Sequence, residues 1–99
     1  MRTRIYGNSG CTAIVLHGGP AATGAAAPIA IGLANHFVAI EALQRGSGPE
    51  PLTVNAHIAD IHDLAESLYD YRKPVLVGES WGAMLALCYA SAYPQSLAA

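Results

Sequence analysis

Three short apolar runs punctuate the chain, each closed by glycine or proline. Thr12–Leu16 is rich in β-branched residues and stops at His17-Gly18-Gly19-Pro20. His36–Ile40 is followed within a few residues by Arg45-Gly46-Ser47-Gly48-Pro49, and Pro74–Val77 stops at Gly78. Continuous apolar runs bounded by turn residues predict strands buried on both faces, as in a parallel sheet. Arg2–Gly7 predicts a weaker strand, expected to pair with the first run through the turn Gly7-Asn8-Ser9-Gly10.

Between these runs the period lengthens. Pro28–Asn35 predicts a short helix, weakened by Gly32. Thr53–Tyr71 predicts the clearest one. Val54, Ile58, Ile61, Ala65 and Leu68 form one apolar stripe, Thr53 serves as N-cap, and Asp60, Asp63, Glu66 and Asp70 populate a solvated face. Ser80–Tyr93 predicts a last helix that is apolar nearly all round and is stopped by Pro94; such a helix belongs inside a larger structure. The order β, β, α, β, α, β, α argues for an α/β fold with a mostly parallel sheet flanked by helices. No second domain is expected, and Ala21–Ala27 reads as a loop or ragged helix start.

Composition sharpens this picture. Of 99 residues, 53% are hydrophobic and 12% charged, about half the charge of a typical soluble domain. So apolar a chain is expected to form part of a core larger than itself. The net charge is −2, and Arg2, Arg4, Arg45, Arg72 and Lys73 are scattered, so nucleic-acid binding has no electrostatic basis. Cys11 and Cys88 form neither a disulfide framework nor a metal-ligand spacing. His57 and His62 are five residues apart, roughly 140° around a helix, and do not share a metal-binding face. No secretory leader is expected at the N-terminus, and His17, Pro20, Pro28 and several glycines interrupt the uncharged span before Glu41, so no membrane helix is expected. A cytoplasmic location is the default, with no membrane partner.

The sharpest chemical signal is Gly78-Glu79-Ser80-Trp81-Gly82, a G-x-S-x-G at a strand-to-helix junction. In such a nucleophile elbow a serine sits on a strained turn, and side chains two before and two after it would collide, hence the glycines Gly78 and Gly82. The turn lifts the Ser80 hydroxyl above the sheet and aims the Trp81 backbone N–H at a developing oxyanion. The second signal is His17-Gly18-Gly19-Pro20 after the first strand, a loop that can supply the other oxyanion N–H, from Gly19. The alternatives are a chance pentapeptide and an ordinary Gly-Pro turn; the two motifs in order argue against both. His17 is expected to pack the loop, since a triad histidine in this architecture follows the nucleophile. Trp81 is expected to add pocket packing. The glycine-rich stretches lack a phosphate-binding pattern.

Together with Gln44-Arg45-Gly46-Ser47-Gly48, Leu85-Ala86-Leu87 and Tyr93-Pro94, these motifs resemble the N-terminal part of an α/β-hydrolase, most of all the proline iminopeptidase group, whose motifs run HGGPG, DQRGSG and GGSWG. The resemblance extends from Cys11 to Leu97, and departs at Ala21, Leu43 and Glu79. It implies a serine hydrolase acting on a small peptide, amide or ester, with N-terminal-proline peptides as the subfamily substrate and without metal or organic cofactor. It also implies further strands, a substrate-selecting cap and the triad acid and histidine, none of which follows Ser80 in the remaining nineteen residues. Residues 1–99 are thus expected to be the N-terminal portion of one hydrolase domain, inactive alone. A non-catalytic remnant, a partner-completed module, and an acyltransferase or C–C bond hydrolase on the same fold are the alternatives. The strand ending at Val77 is expected to leave an open sheet edge.

Overall fold

The computed structural model describes residues 1–19, 24–45, 53–68 and 73–99. Strands β1 (Arg2–Tyr6), β2 (Cys11–Leu16), β3 (Phe37–Leu43) and β4 (Val75–Gly78) form one sheet in the order β1-β3-β2-β4. Helices α1 (Ala27–Leu33), α2 (Val54–Ser67) and α3 (Trp81–Ala92) alternate with them, and a 3-10 turn, Pro94–Ser96, follows. The element order is the expected one, and β2 pairs in parallel with both β3 and β4. The Gly46–Pro49 turn, the start of the Ala21–Ala27 stretch, and Tyr71 and Asp70 at the expected end of the long helix lie outside the described residues.

The pairing of β1 corrects the expected hairpin. β1 lies antiparallel to β3, with Arg4 opposite Glu41, and does not pair with β2. Both edges of β2 are taken by parallel partners, which surround its fully buried Ala13–Leu16. A strand carrying exposed Arg2 and Arg4 suits the margin instead. The turn between β1 and β2 crosses over the start of β3: a Cβ on Gly7 would lie 2.5 Å from Phe37 O, and one on Gly10 would lie 2.1 Å from His36 O. Both glycines have positive φ, so the crossover requires them twice over.

Two apolar layers flank the sheet. Val15 and Ala39 pack with Ala26 and Ala30 beneath α1. Ile14, Leu16 and Ala42 pack on the opposite face with Ile61 and Ala65 of α2 and Leu85 and Tyr89 of α3. Thr53 caps α2 by accepting a hydrogen bond from Ala56 N–H at 3.0 Å, as expected. The buried side of α2 begins at His57 rather than at Val54, which is exposed. α3 buries Gly82, Leu85 and Tyr89 but leaves Met84 and Leu87 in solvent, Leu87 at 74% exposure. β4 is an edge strand, as expected, yet not a bare one: Ala98 N–H donates to Pro74 O and Leu76 N–H to Ala99 O. Among the described residues no helix is long and apolar enough to cross a membrane.

The start of α3 lies against β2 with no room to spare. A Cβ on Gly82 would stand 2.3 Å from Leu16 O and 2.8 Å from His17 O. Gly32, in α1, faces open space. Gly82→Ala is therefore expected to destabilise by about 3 kcal/mol or more, because backbone must move, whereas Gly32→Ala should stabilise by about 0.5–1 kcal/mol. Urea midpoints followed by circular dichroism check the pair; equal effects would contradict the packing.

Tyr89 is buried at the α2–α3 contact, its hydroxyl 3.0 Å from His62 Nδ1, while Tyr93 stacks on the His62 ring at 3.8 Å between centroids. Burial pushes the Tyr89 phenol above its ordinary value of 10.0; the Ser96 hydroxyl opposes this, and Glu66 and Tyr93 add to it. The folded chain thus holds this proton more tightly than the unfolded chain does. The resulting stability is complete below about pH 10 and is lost as pH rises through the raised folded value. Thermal melts should show a decline above about pH 10 that Tyr89→Phe makes shallower; an unchanged slope would count against it.

Candidate active site

The described residues of the three sequence motifs, His17–Gly19, Gln44–Arg45 and Gly78–Gly82, meet at the carboxyl ends of β2, β3 and β4, the edge of a parallel sheet where open α/β folds place ligands. β4 ends at Gly78 and α3 starts at Trp81, so Glu79 and Ser80 make the whole turn. Ser80 has φ 52° and ψ −119°, and among the described residues no other non-glycine residue has positive φ. Such a backbone costs about 1–3 kcal/mol and persists only where its surroundings impose it. Here they do. A Cβ on Gly78 would lie 2.3 Å from Gly82 O, so strand and helix cross at backbone contact, and Gly82 in turn touches the end of β2. Gly82 N–H donates to Glu79 O at 2.8 Å, and Ala83 N–H to Ser80 O at 3.0 Å, closing the turn. Ser80 is exposed at its crest.

Trp81 is the first residue of α3, so its N–H has no carbonyl one turn back inside the helix to receive it. Gly18 is buried against the serine turn: a Cβ there would be 3.3 Å from Ser80 Cβ. Gly19 follows, exposed and with φ 47°. The structure thus brings Gly18, Gly19, Ser80 and the start of α3 to one place. Pro20 lies outside the described residues. A serine hydroxyl raised beside backbone N–H groups at a helix start can attack an electrophilic carbon and leave negative charge where those groups point.

His17 is fully buried, and its ring is occupied. Gln44 N–H donates to Nε2 at 3.2 Å, which leaves the ring proton on Nδ1, 3.0 Å from Gly18 O. This is the loop-packing role expected of it, and a ring so engaged is not placed to take the serine proton. Gln44 does more than sequence reasoning assigned. Its side-chain Nε2 donates to His17 O at 3.1 Å, and its Oε1 accepts from the Trp81 indole Nε1 at 3.0 Å. The signal that could have found it was a polar residue directly after a buried strand, at the same sheet end as the other motifs.

The bland reading of the helix charges needs one correction. Asp60 is not simply solvated: Arg45 pairs with it through two nitrogens, each at 2.7 Å, because α2 passes the end of β3 on that side. His57, also buried, has Nδ1 2.9 Å from Thr53 O and Nε2 3.3 Å from Arg45 O, and meets the Trp81 ring edge-on at 5.5 Å. Both pairs tie α2 to the segment after β3. Among the described residues no group of histidine, cysteine, aspartate or glutamate is arranged to hold a metal ion.

A family model for the alpha/beta hydrolase fold matches residues 14–99. The chain is also similar to several solved structures. An E-2-(acetamidomethylene)succinate hydrolase shares 31% identity at a TM-score of 0.79, over 96% of this chain and 37% of that one. An alpha/beta hydrolase from Sphaerobacter thermophilus shares 27% at 0.76, over 92% and 36%. An epoxide hydrolase variant from Bacillus megaterium shares 24% at 0.79, over 97% and 36%, and speaks for the fold alone. No curated protein matches at a significant level. The chain spans little more than a third of the length of these hydrolases. With the fold, the glycine-flanked serine turn and the family match in agreement, this chain belongs to the α/β-hydrolase family.

Proposed function

We propose that residues 1–99 are the N-terminal portion of a single serine-hydrolase domain that cleaves a small peptide, amide or ester. The carrying observation is Ser80, held at positive φ on a glycine-flanked turn beside the first N–H of α3. Ser80 Oγ attacks the carbonyl carbon while its proton passes to a base. The carbonyl electron pair moves onto oxygen, where the Gly19 and Trp81 N–H groups receive it. The carbonyl then re-forms, the amine or alcohol leaves, and water hydrolyses the acyl-serine ester.

The identity of the nucleophile favours acyl chemistry over epoxide opening. Serine attack on an epoxide would leave an ether, with no carbonyl for water to attack, whereas an acyl-serine has one. The acetamidomethylene group in the name of the 31%-identical hydrolase supports an amide substrate. The three motifs favour an N-terminal-proline peptide within that class, and no metal or cofactor takes part in this scheme. The base and its acid partner are drawn from outside residues 81–99, which hold no carboxylate and no imidazole. That same observation favours a second reading, a non-catalytic module or one completed by a partner chain.

A fluorophosphonate probe separates the readings. The full-length protein is expected to be labelled on the peptide carrying Ser80, and Ser80→Ala should abolish labelling and lower turnover of acyl p-nitrophenyl esters by at least about 10⁴-fold. The 99 residues alone should stay unlabelled. Faster release from proline p-nitroanilide than from its alanine counterpart would support the proline assignment. Turnover that survives Ser80→Ala would overturn the serine mechanism, and a full-length protein that neither labels nor turns over would favour the non-catalytic reading.

A further inference from the structure

We propose that Gln44 is a positioning residue that holds the two oxyanion-donor segments in register, a role that rests on the serine-hydrolase reading above. Gln44 is 4% exposed and stands one residue beyond β3. Its backbone N–H and side-chain Nε2 both go to His17, at 3.2 and 3.1 Å, and its Oε1 accepts from Trp81 at 3.0 Å. One side chain therefore joins the loop leading to Gly19 with the residue that opens α3. Its amide orientation is dictated by its partners, since an indole N–H only donates and a backbone carbonyl only accepts.

The other contacts between these segments act differently. Gly82 against Leu16 O and Gly18 against Ser80 Cβ are van der Waals limits; they set how near the segments come, not how far they slide. Glu79 N–H to Leu16 O is long, at 3.4 Å. Before the turn, the β2–β4 ladder ends with Leu16 opposite Gly78; beyond it, the described side-chain hydrogen bonds from the His17 loop to Trp81 run through Gln44. Volume alone would be filled by Met or Leu, with no buried amide to satisfy. Glutamate could accept from Trp81 but not donate to His17 O, and asparagine is one methylene shorter.

The test uses Gln44→Met and Gln44→Glu in the full-length protein, with the Trp81 indole resonance assigned by its loss in Trp81→Phe. In Gln44→Met the indole N–H should shift and exchange at least about tenfold faster, the Gly19 and Trp81 amides should both move, and kcat on an acyl ester should fall about 10- to 100-fold with KM within about threefold. Gln44→Glu should keep the indole signal near its original position, shift the Gly19 amide, and lower kcat about tenfold, so it still reports if Gln44→Met does not fold. An unmoved indole in Gln44→Met, unmoved Gly19 and Trp81 amides, or an unchanged kcat despite shifted resonances would each overturn the proposal. If Ser80→Ala leaves turnover intact, the serine mechanism fails instead. The resonances then decide the clamp by themselves: joint movement of Gly19 and Trp81 in Gln44→Met supports it, and stationary amides refute it.

Discussion

The start of α3 crosses β4 and the end of β2 at the smallest separation that backbone atoms allow. Gly78 and Gly82 face each other with no space for a β-carbon, and Gly82 also rests on the carbonyls of Leu16 and His17. Helices ordinarily pack on sheets through side chains, at greater distance. Removing those side chains lets the helix N-terminus sit directly over the sheet's carboxyl edge, and the two residues left to make the turn must then bend sharply. Ser80 accordingly takes a backbone conformation that a serine avoids elsewhere. Its exposure, the place of the Trp81 N–H at the helix start and the burial of Gly18 beside it all descend from that crossing.

Around this contact the buried polar groups are paired, and the pairing joins separate parts of the chain. Gln44 links β3 to the loop after β2 and to α3, while His57 and the Arg45–Asp60 pair link the same segment to α2. In a low-dielectric interior each such bond matters mainly because leaving it unmade would cost more than the bond itself contributes. Among the described residues Glu41 is the exception: Tyr6 donates to Oε1 at 3.2 Å, but Oε2 is buried with no hydrogen-bond partner among them. It lies on the α1 face of the sheet, away from Ser80, and burdens the fold rather than the site.

Much of this architecture was legible in the chain. Apolar runs such as Ala13–Leu16 carry no polar residue and no alternation, so burial on both faces suits them. The G-x-S-x-G spacing states a steric requirement directly, because glycine at those two positions has a physical cause that no loop preference supplies. The pairing of β1 was not legible. Strand alternation says which side chains share a face but not which edge a strand joins, and a glycine-rich turn fits a hairpin or a crossover alike. Gln44 and His57 were equally hidden, since a lone polar residue in a motif or on a helix does not announce what it will face.

The low charge content and the all-round apolar character of α3 acquire a place in the structure. Met84 and Leu87 stand in solvent on α3, and Ala98 and Ala99 hydrogen-bond to Pro74 and Leu76 at the β4 edge. The sequence by itself determined the elements, their order, the parallel core and the serine turn, because each follows from local periodicity or from sterics within a few residues. Only the tertiary structure decided that β1 crosses to β3, that His17 is held in one tautomer, and that Gln44 reaches Trp81. Those contacts join residues as far apart as Arg2 and Leu43. Their geometry depends on the relative placement of whole strands and helices, which no local pattern encodes.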